Sequence, residues 1–171
     1  MIKYLSKKTL SKVEFYTVIA VYTLAIMFFG GYTVAKLGFW ASYSDGHSME
    51  NTIGNNYKLL EVSTKIKKIE RGDIVSIKVY IKGEKKSILK RIIGLPGETI
   101  KIQGNTVSID GNILKETYAF YESLSSDDIE YTIKDDEYYV LGDNRLHSTD
   151  SRVIGAVPTV NIERNVILFR K

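Results

Sequence analysis

Two segments of the sequence carry side chains that could perform nucleophilic catalysis together. The first, residues 46–53, contains Ser48, and the second, residues 90–98, begins with Lys90 among apolar neighbours. A lysine in such surroundings is expected to be partly buried, where its pKa falls well below the usual value of about 10.4. It can then take a proton from a serine hydroxyl near neutral pH and activate that hydroxyl as a nucleophile. Taken alone, the pattern is also compatible with a solvated or ion-paired lysine.

A third segment, residues 142–152, is dense in charges and turn-forming residues. It contains Asp143, Arg145, Asp150 and Arg152. Ion pairs among these side chains would form a rigid network that fixes the neighbouring backbone. A solvated polar loop is the alternative interpretation.

The histidines raise two further possibilities, a serine–histidine–acid triad and a metal site. His47 directly precedes Ser48, and consecutive side chains of a strand diverge, so His147 would be the better base for a triad. His47 and His147 with Asp143 and Asp150 are suitable metal ligands by type, but they lack the spacing of a known site, and no metal or cofactor is predicted. The absence of cysteine excludes disulfides and thiolate chemistry.

An apolar stretch precedes all three segments. Residues 15–35 carry no charge, and a helix of that length spans roughly 31 Å, the thickness of the hydrocarbon core of a bilayer. Four lysines precede the stretch and only Lys36 closely follows it. The positive-inside rule therefore predicts a basic cytoplasmic tail over residues 1–14, a transmembrane anchor over residues 15–36 and an extracytoplasmic domain over residues 37–171. A cleaved signal peptide is the alternative, although its apolar core is usually shorter.

The net charge does not indicate a nucleic-acid partner. The chain carries 24 Lys and Arg against 20 Asp and Glu, a formal net charge of +4. Residues 1–14 hold four lysines and one glutamate, so the remainder has a net charge of only +1. A domain that binds nucleic acid would need a basic stripe in its folded part, and none is evident.

The domain after the anchor is predicted to be mostly β, either barrel-like or a folded sheet with antiparallel ribbons. Short β-branched runs alternate with polar or glycine-bearing turns, and no segment shows a sustained 3.6-residue period. Asp110-Gly111-Asn112 is a strong hairpin signal. Residues 104–136 are expected to leave the core as an excursion. The predicted strands cover residues 57–62, 73–80, 87–94, 105–109, 113–114, 138–141 and 165–169.

In this order the segments resemble the motif boxes of type I signal peptidases, the bacterial enzymes that remove leader peptides from exported proteins. The most specific matches are Lys-Arg-Ile-Ile-Gly-Leu-Pro-Gly-Glu at residues 90–98 and Gly-Asp-Asn-Arg at residues 142–145, with Ser-Thr-Asp-Ser-Arg at residues 148–152. Arg-Gly-Asp-Ile-Val at residues 71–75 also matches the motif that precedes the lysine strand. The resemblance covers nearly the whole chain. It implies a signal-peptidase-like β fold behind one N-terminal transmembrane helix, at the outer face of the cytoplasmic membrane.

The resemblance implies a role for each matching residue. Ser48 would attack the scissile carbonyl and offer its backbone N–H to the oxyanion, while Lys90 would act as the general base. Ser148 would orient the lysine ammonium. The residues that brace the site would be Arg91, Asp143, Asp150 and Arg152, and those that contact substrate would be Asp45, Gly46, His47 and Met49.

The implied substrates are preprotein leader peptides with small residues one and three positions before the cut, which add as a strand near residues 45–48. Two positions depart from the family pattern. Asn51 replaces the usual proline, and Gly46 stands where some members place a hydroxyl near the oxyanion. The change at Asn51 leaves open a second function, a signal-peptidase-like factor that assists assembly of pilin or surface-protein precursors with little or no cleavage. A purely structural anchored domain would not explain Ser48 and Lys90 within their motifs.

Overall fold

The computed structural model describes residues 12–36, 38–81, 83–121 and 128–171, and the chain divides into two compact units, residues 1–38 and 39–171. Most of the predicted cytoplasmic tail, residues 1–11, lies outside the described residues. The first unit contains helix α1, Lys12–Lys36. Its window Tyr16–Thr33 has a mean hydropathy of 1.4 and no buried residue, so this helix is long and apolar enough to cross a membrane.

The second unit is built from antiparallel sheets, which confirms the predicted fold class. It also contains one short helix, α2 (Ser151–Ile154), and a 3₁₀ turn at Thr159–Asn161. The strands are β1 Phe39–Tyr43, β2 Lys58–Ser63, β3 Ile74–Ile81, β4 Glu84–Gly94, β5 Thr99–Gln103, β6 Thr106–Ile109, β7 Asn112–Ile113, β8 Asp128–Thr132, β9 Glu137–Leu141, β10 Val157–Pro158 and β11 Ile162–Arg170. The larger sheet has the order β1-β2-β11-β3-β4-β9-β10, and the smaller has the order β7-β6-β5-β8.

The predicted strands and the hairpin are present, with ends shifted by a few residues. The hairpin turns at Asp110 and Gly111, whose φ angles of 50° and 79° match a two-residue turn between β6 and β7. Sequence reasoning missed β1, whose aromatic residues continue the apolar stretch and become a strand only by pairing with β2. It also missed β5 and β8, although both alternate polar and apolar residues.

The segment predicted as an excursion contributes β6, β7 and β8, which join β5 in the smaller sheet. Residues 122–127 of that segment lie outside the described residues. A core of aliphatic side chains lies beneath this sheet and includes Ile100, Ile102 and Val107. The same core contains Ile93 of β4 and Leu141 of β9, so both sheets contribute to it.

Strand β4 lies between two cores. Ile93 packs in the core of the smaller sheet, and Ile92 packs with Val75 and Ile77 in the core of the larger one. Because β4 is covered on both faces, the two cations that precede these isoleucines are also buried. Lys90 is only 2% exposed and Arg91 only 8% exposed.

Candidate active site

The loop that carries Ser48 follows β1 and is held by side chains on both sides of the serine. Met49 and Ile53 are 3% and 1% exposed and pack with Leu59 and Ile74. The Ser48 carbonyl accepts a hydrogen bond of 3.1 Å from the Asn144 backbone N–H. The serine is therefore fixed between the core and the loop that follows β9.

Lys90 lies directly against this serine. Its Nζ is 2.8 Å from Ser48 Oγ and donates to the Leu89 carbonyl at 2.7 Å. Burial lowers the pKa of Lys90 to about 8, although Asp150 and Asp143 oppose the shift by stabilising the ammonium. A substantial fraction of the amine is thus neutral near pH 8 and can accept a proton from the hydroxyl.

Ser148 lies next to the nucleophile loop without reaching the lysine. Its Oγ is buried and has no hydrogen-bond partner, so the structure does not form the expected hydrogen bond from Ser148 to Lys90. A side chain at Gly142 would overlap Ser148 and would come within 2.5 Å of the Ser48 carbonyl oxygen. Glycine at 142 therefore allows the 142–152 segment to pack closely against the nucleophile loop.

The loop after β9 is joined to β4 by a buried ion pair. Arg91 donates from Nε and Nη2 to the two carboxylate oxygens of Asp143 at 2.8 and 2.6 Å. The carboxylate is fully buried and also accepts a 2.5 Å hydrogen bond from Thr52. The Arg91 guanidinium stacks 4.1 Å from the ring centre of Tyr118. One arginine thus connects the lysine strand, the nucleophile loop and the 142–152 segment.

A second network fixes the 142–152 segment itself. The Asp150 side chain caps helix α2 and accepts a 3.0 Å hydrogen bond from the Gly142 N–H. Arg152 pairs with Asp150 at 2.9 Å and donates to the Arg145 carbonyl at 2.5 Å. Sequence reasoning missed Glu116, which forms a buried ion pair of 2.6 Å with Arg145. Sequence alone indicates only that Arg145, if buried, needs an acidic partner. It does not identify Glu116 as that partner.

The four predicted substrate contacts separate into exposed and buried residues. Asp45, Gly46 and His47 are exposed, whereas Met49 packs in the core. His47 is hydrogen-bonded to Glu50 at 2.7 Å, and this contact raises the pKa of the His47 imidazole. The partner at Ser48 Oγ is Lys90 rather than a histidine. No group of three or more His, Asp or Glu side chains in the described part of the chain could hold a metal ion.

The backbone at Asn51 explains why the residue there is not proline. Its φ is 85°, a left-handed conformation that asparagine tolerates and that a proline ring, locked near −65°, cannot adopt. The loop after the nucleophile therefore follows a path that the usual family residue does not permit.

Two clefts are lined by residues that directly precede Ser48 or Lys90 in the chain. One has a volume of about 590 Å³ and is lined by His47, Glu50, Asn51, Phe120, Asn144 and His147. The other, about 270 Å³, lies between residues 42–45 and residues 87–89, with Leu59, Glu61, Ser76 and Arg164 completing its lining. We call the second the β1–β4 cleft.

Comparison with known proteins gives concordant matches. The family described as "Signal peptidase, peptidase S26" matches residues 13–169. The chain is 35% identical over 127 residues to "Probable signal peptidase I-2" of Synechocystis sp., which is 69% of this chain and 56% of that protein. It is 35% identical over 120 residues to "Signal peptidase I" of Bacillus amyloliquefaciens, which is 63% of this chain and 62% of that protein. The crystal structure of a signal peptidase I from Enterococcus faecalis matches with a TM-score of 0.51 and 31% identity, covering 60% of this chain and 98% of that one. The chain thus spans less than two thirds of the length of these two curated relatives.

Proposed function

The chain belongs to the signal peptidase family, peptidase S26, and from that membership we propose that it is a membrane-bound serine endopeptidase that removes N-terminal leader peptides from exported proteins. The observation that carries the proposal is the 2.8 Å contact between Lys90 Nζ and Ser48 Oγ. A buried lysine with a lowered pKa is suited to act as a base toward a serine hydroxyl. Helix α1 is the candidate anchor, and the lysine bias around it favours an extracytoplasmic catalytic domain.

The proposed reaction has two steps at the same pair of side chains. Neutral Lys90 accepts the Ser48 proton as the hydroxyl attacks the scissile carbonyl, and the resulting ammonium protonates the leaving amine. A water molecule then hydrolyses the acyl-enzyme with Lys90 again as base. The Ser48 backbone N–H is the proposed oxyanion donor, and Gly46 supplies no side chain to assist it.

The substrate is proposed to bind as an extended strand in the β1–β4 cleft. Within the described residues, β1 pairs only with β2, and β4 pairs with β9 only from Arg91 onward. The antiparallel order of the sheet makes β1 and β4 run in the same direction. A leader peptide parallel to both strands can therefore form main-chain hydrogen bonds with two free edges and place its scissile bond at Ser48.

The buried ion pairs are proposed to position the reacting groups rather than to take part in the chemistry. Arg91 with Asp143 and Asp150 with Arg152 connect the segments that carry Ser48, Lys90 and Ser148.

The test of the proposal is cleavage of a model preprotein whose leader ends in Ala-x-Ala by the detergent-solubilised protein. We expect kcat/KM to rise about tenfold for each pH unit below pH 8 and to level off above it, because only the neutral form of Lys90 is a base and its pKa is about 8. Product mass gives the cut site. A profile that levels off near pH 6.5 would indicate a histidine base instead.

Two controls separate the competing mechanisms. His147→Ala should retain cleavage, whereas loss of all activity in this variant would favour a histidine triad. The assembly-factor alternative is not favoured, because the similar proteins are signal peptidases I and this chain has both Ser48 and Lys90. Capture of a surface-protein precursor without cleavage at any pH from 6 to 10 would reverse that preference.

A further inference from the structure

An acidic side chain is buried inside the cleft that the leader is proposed to occupy. Glu61 on β2 is 2% exposed. One of its carboxylate oxygens, Oε1, accepts a hydrogen bond from the Ser76 hydroxyl. The other, Oε2, accepts from the Ser42 hydroxyl at 3.1 Å and from Arg164 at 3.4 Å. Buried carboxylates are uncommon unless they are paired or hydrogen-bonded.

The surroundings of Glu61 make the β1–β4 cleft mostly polar. Serine hydroxyls line it from β1, β3 and β4, and Leu59 and Leu89 supply part of the apolar surface. This lining differs from the shallow apolar pockets that would suit alanine alone. Leu89 directly precedes Lys90, and Asp45 lies three residues before Ser48, so the lining of the cleft comes from the same two segments as the reacting groups.

The hydrogen bonds of Glu61 leave room for one more donor. A carboxylate offers about four acceptor positions, and three are occupied, two on Oε2 and one on Oε1. Arg164, whose guanidinium also stacks 4.6 Å from the ring centre of Trp40, already balances the charge. A cationic substrate side chain in the cleft would be repelled by this arginine. A neutral hydrogen-bond donor is therefore the better partner for the open acceptor of Glu61.

We propose that Glu61 makes the β1–β4 cleft a subsite for a small hydroxyl side chain, serine or threonine, at the third leader residue before the scissile bond. The assignment rests on the proposed function and on the proposed strand orientation. Alternate residues of a strand point the same way, and the third residue lies about 7 Å upstream of the first. An apolar side chain of the same size would exclude water from the open acceptor of Glu61 and leave it unpaired, which is unfavourable.

The test uses peptides that differ only by threonine against valine, two side chains of nearly equal shape. The pair is placed in turn at each of the four positions before the cut in an otherwise alanine-rich leader. At the third position we expect threonine to raise kcat/KM about tenfold over valine, the range for one hydrogen bond to a charged acceptor. At the other positions, we expect no threonine preference above about twofold. A ratio near one at the third position, or a preference confined to another position, would overturn the assignment.

Variants of Glu61 test whether the carboxylate is the cause. Glu61→Leu should reduce the threonine-to-valine ratio to about one, and the isosteric Glu61→Gln, which better preserves the fold, should reduce it at least threefold. Thermal unfolding reports whether each variant is folded. The matched control is Glu137→Leu, because Glu137 is also a partly buried carboxylate, paired with Lys134 at 3.2 Å, but neither it nor its partner lines the cleft. This control should leave the ratio unchanged.

The outcomes distinguish this inference from the function on which it rests. Cleavage of the alanine reference peptide by wild type, together with a threonine preference that persists in both Glu61 variants, would overturn the role of Glu61 alone. Failure of the wild type to cleave any peptide would overturn the proposed function as well.

Discussion

Replacing Lys90 with methionine is expected to lower kcat for leader cleavage by roughly 10⁴-fold, with little change in KM. Methionine fills nearly the same volume but has no basic atom to accept the proton of Ser48, 2.8 Å away in the wild type. The pH dependence below pH 8 should disappear with the activity, because that dependence reports the titration of this amine. Single-turnover cleavage of a fluorescent preprotein measures both effects.

Ser48→Ala provides the matched comparison. It should abolish cleavage to a similar extent, and the double variant should be no worse than either single variant, because the two groups act in one step. Losses that multiplied in the double variant would mean that the two residues contribute independently. Activity in Lys90→Met within tenfold of wild type would rule out this lysine as the base.

The stability of Lys90→Met distinguishes a chemical role from a structural one. The pKa of Lys90 is about 8 in the folded protein against the ordinary lysine value of 10.5, so the unfolded state binds the proton more tightly. Wild-type stability should therefore be reduced below pH 8 and should rise as the pH increases from 8 to 10.5. Methionine removes this penalty, and we expect the variant to be more stable by roughly 3 kcal/mol at pH 7. Urea unfolding at pH 7 and pH 10 measures the difference, and a variant that is less stable at both values would contradict the assignment.

Asp143→Asn is expected to lower the free energy of unfolding by about 3–5 kcal/mol. The change keeps the shape of the side chain but leaves Arg91 charged inside the protein, where it is 8% exposed. It also weakens the hydrogen bonds from Arg91 Nε and Nη2 that bridge β4 and the 142–152 segment. Denaturant unfolding followed by tryptophan fluorescence or circular dichroism provides the measurement.

Two further variants give this prediction its controls. Glu130→Gln breaks an exposed ion pair with Lys101 and should change the free energy of unfolding by less than about 1 kcal/mol. Replacing both partners of the buried pair, as Arg91→Met with Asp143→Leu, should recover much of the loss because no buried charge is left alone. A loss below 1 kcal/mol in Asp143→Asn would show that Arg91 finds another partner.

Local sequence patterns were sufficient where the structural signal is itself local. Uncharged residues over a bilayer-length stretch predicted helix α1, and alternating β-branched runs predicted most strands of the larger sheet. Asp110 and Gly111 predicted a two-residue hairpin, because few residues adopt a positive φ in such a turn. Strand β1 could not be predicted in this way, since it is a strand only because β2 lies beside it.

The motifs identified the residues of the candidate site but not their environments. The pattern around Lys90 indicated that this lysine would be partly buried. Lys90 and its neighbour Arg91 are both buried, because β4 separates two hydrophobic cores. The partners Glu116 and Tyr118 come from a segment with no motif of its own and were not predicted. Thr52 lies in the Ser48 segment, but its hydrogen bond to Asp143 was not predicted either.

By itself, the sequence determined the apolar helix, the antiparallel β class and the identities of the serine and lysine, because each depends on residue type and short-range periodicity. Only the tertiary structure decided that Lys90 reaches Ser48, that Met49 packs in the core, and that Glu61 lies inside a cleft. These three facts depend on which distant strands become neighbours. Such pairings are stabilised by burial and by hydrogen bonds between residues far apart in the sequence. The spacing of residues along the chain therefore does not predict them.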